Sequence, residues 1–222
     1  SGSRQVGGSP RALEGRCVIE LAGPFGGYAA KMFADMGADV VRVLAPSQSK
    51  PDQDSVRDSY MNVAKRPMTL NLETEAGRER FVALADGADA VIESFTPGYL
   101  DGLGIGYRRL SGLYPAIVVT SISGFGQTGP HSGWKSSDIV AAASGGAMYV
   151  TGRAEDPPLA LAGEQASLMA SVYAAGASMM ALWHASATGR GQHVDISAQE
   201  TTLSLSHICG VGKWLDDGIV PK

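Results

Sequence analysis

The sequence predicts an α/β fold in which a parallel sheet is flanked by helices. Short apolar runs alternate with helix-forming stretches along the chain, and the first unit, over residues 17–44, has the order strand, helix, strand. Such a unit joins parallel strands by a right-handed crossover. With 222 residues, the chain is long enough for one large α/β domain or two small ones with a well-buried core.

The first unit opens with a strand at Cys17–Leu21, which ends in a turn over residues 22–24. A helix is expected over residues 28–36, because Gly37 is placed as the glycine that commonly follows a helix end. The second strand is Asp39–Leu44, an apolar run rich in valine.

Residues 45–66 are polar and contain Pro46 and Pro51, so a long loop is expected there. Thr74 is the predicted N-cap of a helix over residues 74–85, and Ser167 of a long alanine-rich helix over 168–187. The other predicted elements are strands over residues 68–72, 90–93, 117–121 and 193–196, and helices over residues 138–148 and 197–209.

Composition excludes several function classes. The net charge is −4 with no basic stripe, which argues against nucleic-acid binding. Cys17 and Cys209 are the two cysteines, and neither they nor the four histidines show a metal-ligand spacing. Without a continuous apolar run near the ~20 residues of a membrane span, or an export signal, we expect a cytoplasmic protein that uses no membrane and no metal.

Glycine is over-represented, at 29 of 222 residues, or about 13% against a usual ~7%. This excess predicts many tight turns, or backbone that a ligand or second chain approaches closely. The turn after the first strand has the sequence GPFGG over residues 23–27, at a place where phosphates often bind a helix N-terminus. It is neither GxGxxG nor a P-loop, so an ordinary turn and a phosphate site both stay open.

Six ordered blocks carry a resemblance. They are LAGPFGGYAAKMFADMGADVVRV (21–43), AKRPMTLNL (64–72), GADAVIESFTPGYLDGLGIGY (87–107), SISGFGQTGP (121–130), SDIVAAASGGAMYVTG (137–152) and TGRGQHVDISAQE (188–200). This series closely resembles the class III (CaiB/BaiF-type) CoA-transferase family, which includes formyl-CoA transferases, carnitine CoA-transferases and α-methylacyl-CoA racemases. The resemblance covers residues from about 16 to 206.

The resemblance implies a Rossmann-like large domain over residues 16–208, after a leader or tag over 1–15 and before the start of a linker over 209–222. Members of the family have about twice this length, with an added small domain, and their two chains pass through one another as interlocked rings. This chain is therefore expected to be a fragment, a naturally short form or half of a split enzyme. We expect a homo- or hetero-oligomer that binds CoA or acyl-CoA, and an exposed apolar face where its partner packs.

The family holds CoA between the first strand–helix turn, a Lys-Arg turn and the loop after the fourth strand. The matching positions are Ala22, Gly23, Pro24, Lys65, Phe95 and Lys135. A lysine suits a diphosphate because it is a point charge with several donors, and a phenylalanine can cover an adenine face. A solvated surface lysine is the alternative for Lys65 and for Lys135.

The departures from the family concern charged residues. Its Glu-Arg pair after the second strand, in which the arginine contacts the nucleotide end of CoA, is here Leu44-Ala45, and Gly102 stands where an arginine is often found. The nucleophilic aspartate at the start of the long helix is replaced by Ser167. Racemase chemistry needs that same aspartate and also a histidine where this chain has Ser137.

The loss of the aspartate matters because the family reaction passes through a mixed anhydride and then an aspartyl-CoA thioester. A serine hydroxyl cannot form that anhydride, and without a base it is a poor nucleophile. Glu164 is the nearest carboxylate upstream that could substitute for the aspartate.

Three hypotheses follow for the activity of the chain. It is a CoA-transferase homologue that is incomplete alone and takes the catalytic aspartate from a partner chain. Alternatively, it is a structural or binding subunit whose CoA pocket has decayed. In the third reading, it is an enzyme of altered chemistry on acyl-CoA thioesters that uses Ser167 or Glu164.

Overall fold

The computed structural model describes residues 11–23, 25–48, 56–205, 215, 216 and 218. Among these residues, six strands form one parallel sheet in the order β3-β2-β1-β4-β5-β6. The strands are β1 Cys17–Leu21, β2 Asp39–Leu44, β3 Lys65–Thr69, β4 Ala90–Glu93, β5 Val118–Ser123 and β6 His193–Ser197. The predicted α/β fold with a parallel sheet is confirmed, and its strand order is that of a doubly wound dinucleotide-binding fold.

Helices cover both faces of the sheet. They are α1 Gly27–Asp35, α2 Val56–Asn62, α3 Glu75–Ala85, α4 Tyr99–Gly102, α5 Tyr107–Leu113, α6 Asp138–Ser144, α7 Gln165–Thr188 and α8 Ala198–Leu205. One face packs against α1, α6 and α7 around Phe33 and Ile122. The other face packs against α3, α4 and α5 around Phe81 and Leu110.

The centre of the sheet is β1, which pairs with β2 on one side and with β4 on the other. In the register, Ile19 of β1 lies between Val41 and Val91. The chain runs outward from β1 in both directions, so the connections after β1 and β4 leave opposite faces of the sheet. A crevice opens at the carboxyl ends of these two strands, where ligands bind in folds of this class.

Several local predictions are confirmed. The bounds of β1, β2 and β4 coincide with the predicted strands. Thr74 caps α3, because its hydroxyl accepts the backbone N–H of Gly77 at 3.1 Å. Gly37 follows α1 with a φ of +101°, in the left-handed region that favours glycine.

Other predictions are wrong. Residues 45–66 are not a continuous loop, since they contain a short 3₁₀ helix at Pro46–Gln48 and the helix α2. The third strand begins at Lys65, three residues before the predicted start, because its pairing with β2 begins at Val40 and Lys65. The prediction of Ser167 as N-cap is also wrong, because α7 begins earlier, after Glu164.

The long helix α7 buries a stripe of small residues against the sheet, and small residues let helix and strand approach closely. The Ser178 hydroxyl lies 2.6 Å from that of Thr120 in β5. Of the helices in the described part of the chain, α7 alone has the length and composition that could cross a membrane. Sequence reasoning did not identify it as such, because small polar residues interrupt its apolar residues. Half of its most apolar window is buried in this fold, as in the core helix of a globular protein.

Candidate functional site

A cleft of about 560 Å³ lies at the carboxyl edge of the sheet. Its walls are the segments that follow β1, β2, β3 and β4, together with α2. This is the position that the strand order predicts for a ligand, since the crevice at the topological switch point exposes backbone groups that no helix covers.

The turn after β1 forms one wall of the cleft. Ala22 and Gly23, two of the predicted CoA contacts, line it, while Pro24 lies outside the described residues. The Gly23 N–H donates to the Ser94 hydroxyl at 2.7 Å, which ties this turn to the turn after β4. Gly26 has no room for a side chain, because an added Cβ would lie 2.6 Å from the Ala22 Cβ.

The turn after β4 supplies an aromatic wall. Phe95, another predicted CoA contact, lines the cleft, and its ring centroid lies 4.7 Å from that of Tyr99 in α4, which also lines it. The Tyr99 hydroxyl donates to the carboxylate of Glu73, which lines the cleft in the segment after β3. Sequence reasoning missed Tyr99, although an aromatic residue four positions after Phe95 and beside a glycine was a signal that could have found it.

Lys65 does not line the cleft. Its ammonium lies 2.8 Å from the Glu20 carboxylate, and both side chains are only 1% exposed. The ammonium also donates to the Gly27 carbonyl at 2.8 Å. The geometry therefore favours a structural role, and the predicted diphosphate contact stays a prediction.

Lys135 lies on the exposed loop between β5 and α6, beside Trp134. It is not among the described residues that line the cleft, so the structure does not bring Lys135 together with Phe95 and the turn after β1. Its predicted contact with CoA stays a prediction.

Ser167 lies in the first turn of α7 and is 2% exposed. Its backbone N–H donates to the Asp138 carboxylate at 2.7 Å, so Asp138 satisfies one of the N–H groups that a helix start leaves without a partner. Glu164 precedes the helix with a φ of +58° and forms an ion pair with Arg57 of α2. The first turn of α7 is thus tied to α6 and α2 by two acidic residues.

The charged residues of the cleft are more acidic than basic. In the described part of the chain, the acids among its lining are Glu20, Asp58 and Glu73, and the cations are Arg42 and Arg57. Sequence reasoning singled out neither arginine: Arg42 lies in the first family block but matches no CoA contact that the resemblance implies, and Arg57 lies outside the six blocks. No group of three or more metal-ligating side chains occurs among the described residues.

Beneath Phe95, Glu93 ends β4 with its side chain buried. Its carboxylate accepts the Phe95 N–H at 2.7 Å, which holds the backbone of the aromatic wall. Burial raises the pKa of this carboxyl, although the Ser121 hydroxyl and the Phe95 N–H act to lower it. Ser121 in turn lies 2.8 Å from the Nε2 atom of His193.

Comparison with known proteins identifies relatives of the chain. The chain is 41% identical over 195 residues to the succinyl-CoA:(R)-benzylsuccinate CoA-transferase subunit BbsE of Thauera aromatica, a match that covers 82% of this chain and 48% of the relative. It is 35% identical over 207 residues to the formyl-CoA:oxalate CoA-transferase of Streptomyces avermitilis, over 89% of this chain and 50% of the relative. The chain therefore spans about half the length of these relatives.

The crystal structure of a CaiB/BaiF family protein from Brucella suis superposes on the chain with a TM-score of 0.88 and 30% identity. That superposition covers 96% of this chain and 60% of the other. The sequence model of CoA-transferase family III matches residues 13–216, which is nearly the whole chain. The chain belongs to CoA-transferase family III.

Proposed function

We propose that the chain binds CoA or an acyl-CoA thioester in the cleft, as the subunit of a CoA-transferase that lacks the nucleophile. A partner chain then supplies the carboxylate. The observation that carries the proposal is Ser167, a buried serine with its backbone N–H held by Asp138, at the position where the family resemblance places the nucleophile.

The chemistry favours a carboxylate from elsewhere. In the transfer, a carboxylate oxygen attacks the thioester carbonyl carbon, the carbon–sulfur bond breaks, and CoA leaves as a thiolate while a mixed anhydride forms. The Ser167 hydroxyl would give an ester instead, and it would need a base to accept its proton. The hydrogen bond described between Ser167 and Asp138 engages the backbone N–H, so it does not activate the hydroxyl.

The lining of the cleft supports the proposed binding of CoA. Ala22 and Gly23 line the cleft at the switch point, and Phe95, with the Tyr99 ring tilted by 40° beside it, offers an aromatic face on which a base can stack. These features support CoA binding and oppose the hypothesis of a decayed pocket.

Two observations support a partner chain. The relative from Thauera aromatica is named as a subunit of its CoA-transferase. On the outer surface, α7 and α8 expose large apolar side chains, which a second chain would cover. They are Val172, Tyr173, Met180, Trp183, Leu203 and Leu205.

The test is calorimetric titration of the purified chain with CoA and acetyl-CoA, together with an assay for transferase activity of the chain alone. We expect micromolar binding and no transfer. Phe95→Ala should weaken binding by about 5- to 150-fold, because stacking on an aromatic ring contributes ~1–3 kcal/mol per base. Phe125→Ala is the matched control, since Phe125 packs against Trp134 outside the lining of the cleft.

Each other outcome selects a different hypothesis. Failure of the wild-type chain to bind CoA would mean a structural subunit whose pocket has decayed. Transfer by the chain alone that is lost in Ser167→Ala would mean altered chemistry at Ser167. Transfer that survives in Ser167→Ala and is lost in Glu164→Gln would assign the chemistry to Glu164.

A further inference from the structure

Arg57 lines the cleft but forms an ion pair with a residue outside the lining. Arg57 of α2 lines the cleft, and its guanidinium forms an ion pair with Glu164, which lies 107 residues further along the chain at the start of α7. Glu164 is not among the lining residues. The pair therefore joins a wall of the cleft to the helix that carries the nucleophile's position.

The other arginine is engaged within the cleft. Arg42 lies 4.0 Å from the Glu20 carboxylate and 3.7 Å from that of Asp58, and its side chain is 24% exposed. Arg57 is 56% exposed and Glu164 is 42% exposed. An ion pair this exposed contributes at most ~1 kcal/mol, so an anion in the cleft can replace the Glu164 carboxylate at little cost.

Glu164 has an unusual backbone conformation. Its φ of +58° is in the left-handed region, which only Glu164 and Ala64 adopt among the described residues other than glycine. A side chain in this conformation is unfavourable, and such residues cluster at ligand clamps and switch regions. This position places a carboxylate on Arg57, the more exposed of the two arginines in the described lining of the cleft.

We infer that Arg57 binds a phosphate group of the CoA ligand and that Glu164 competes with that phosphate for the guanidinium. The inference rests on the proposed CoA binding, and it assigns to α2 the cation that the sequence lacks at Ala45. A guanidinium suits this role because its planar donors match two phosphate oxygens. Ligand binding releases Glu164, which frees the start of α7 from α2.

The experiment compares the two partners of the ion pair by titration with CoA. Arg57→Gln should weaken binding by about tenfold, because the phosphate loses its charged donor. Glu164→Gln should tighten binding by about 3- to 5-fold, because the competitor is removed. Arg153→Gln and Glu155→Gln make the same charge changes at an exposed pair that does not line the cleft, and they should change the affinity by less than about 2-fold.

Opposite effects of the two variants are the signature of competition. If the ion pair only fastens α2 to α7, both variants should weaken binding to a similar extent, and that result would overturn the inference. Pantetheine, which has no phosphate, should bind wild-type and Arg57→Gln chains equally. Wild-type chain that fails to bind CoA would refute the proposed function, whereas binding unaffected by Arg57→Gln would refute only this inference.

Discussion

The Lys65 ammonium and the Glu20 carboxylate form a buried ion pair across the sheet, with Nζ and Oε2 2.8 Å apart. Lys65 starts the edge strand β3 and Glu20 lies in β1, so the pair spans the strand between them. Burial raises the pKa of Glu20 and lowers that of Lys65, while each charge acts to keep the other ionised. The same ammonium donates to the Gly27 carbonyl, which fixes α1 beneath the cleft.

Breaking this ion pair should destabilise the fold. Lys65→Met leaves the Glu20 carboxylate buried without its cation, and we expect the free energy of unfolding to fall by about 3–5 kcal/mol. The measurement is urea unfolding followed by circular dichroism. Lys135→Met, on an exposed loop, is the control and should change the value by less than about 0.5 kcal/mol.

A double variant shows whether the lost stability comes from the unpaired Glu20 carboxylate. Glu20→Gln with Lys65→Met removes both, so most of the lost stability should return. If Lys65→Met unfolds as wild type does, the ammonium is not buried as described, and its predicted contact with CoA phosphate regains support.

Gly26, in the turn after β1, is packed too closely to accept a side chain. A methyl group at Gly26 would lie 2.6 Å from the Ala22 Cβ and 3.0 Å from Ile122 Cδ1, so Gly26→Ala must displace the start of α1. We expect a loss of about 1–3 kcal/mol in the free energy of unfolding. Gly27→Ala is the matched control, because the nearest atom to its added Cβ is Glu20 Oε1 at an ordinary 3.6 Å. Equal stability of the two variants would contradict the packing of this turn.

Sequence patterns predicted the central strands well because those strands are buried on both faces. The strands β1, β2 and β4 are nearly continuous apolar runs that end at turns, and such runs mark buried parallel strands. The edge strand β3 exposes four of its five residues, so its polar start at Lys65 gave no strand signal. The helix α2 buries none of its residues, and a helix without an apolar face has no periodicity to detect.

For the site, the family resemblance identified the turn after β1 and Phe95, both of which line the cleft. It could not identify Arg57, whose proximity to Glu164 depends on how α2 and α7 pack. Lys65 shows what a residue-by-residue transfer leaves out. A lysine next to an arginine suggests an anion contact, and only the fold shows that Glu20 lies beside it.

Restoring an arginine at Ala45 should strengthen the proposed CoA site. Ala45 is exposed and lines the cleft. The family resemblance implies at this position an arginine that contacts the nucleotide end of CoA. A hydrogen bond to a charged group contributes ~1.5–3 kcal/mol, so Ala45→Arg should tighten CoA binding by about tenfold or more in calorimetric titration. Ser47→Arg adds the same charge two residues away, outside the lining, and should have little effect. Equal gains in both variants would indicate general attraction of an anion and no specific contact.

The buried carboxyl of Glu93 should make stability depend on pH. Burial, the largest influence, raises its pKa above the ordinary 4.5, and the nearby charges of Asp101 and Asp195 act in the same direction. The folded chain then holds this proton more tightly than the unfolded chain does. The free energy of unfolding therefore falls as the pH rises from 4.5 to the raised pKa, by at most about 1.4 kcal/mol per pH unit.

Glu93→Gln tests this dependence because glutamine stays neutral and its carbonyl can still accept the Phe95 N–H. The variant should gain stability relative to wild type as the pH rises above 4.5, and the gain should level off once Glu93 is ionised in both states. Urea unfolding of both chains at intervals from about pH 4 to about pH 8 measures the difference. Unfolding free energies that run parallel over this range would show that Glu93 has the same proton affinity folded and unfolded. The carboxylate would then be solvated, and its hydrogen bond from the Phe95 N–H would be weaker than the buried geometry implies.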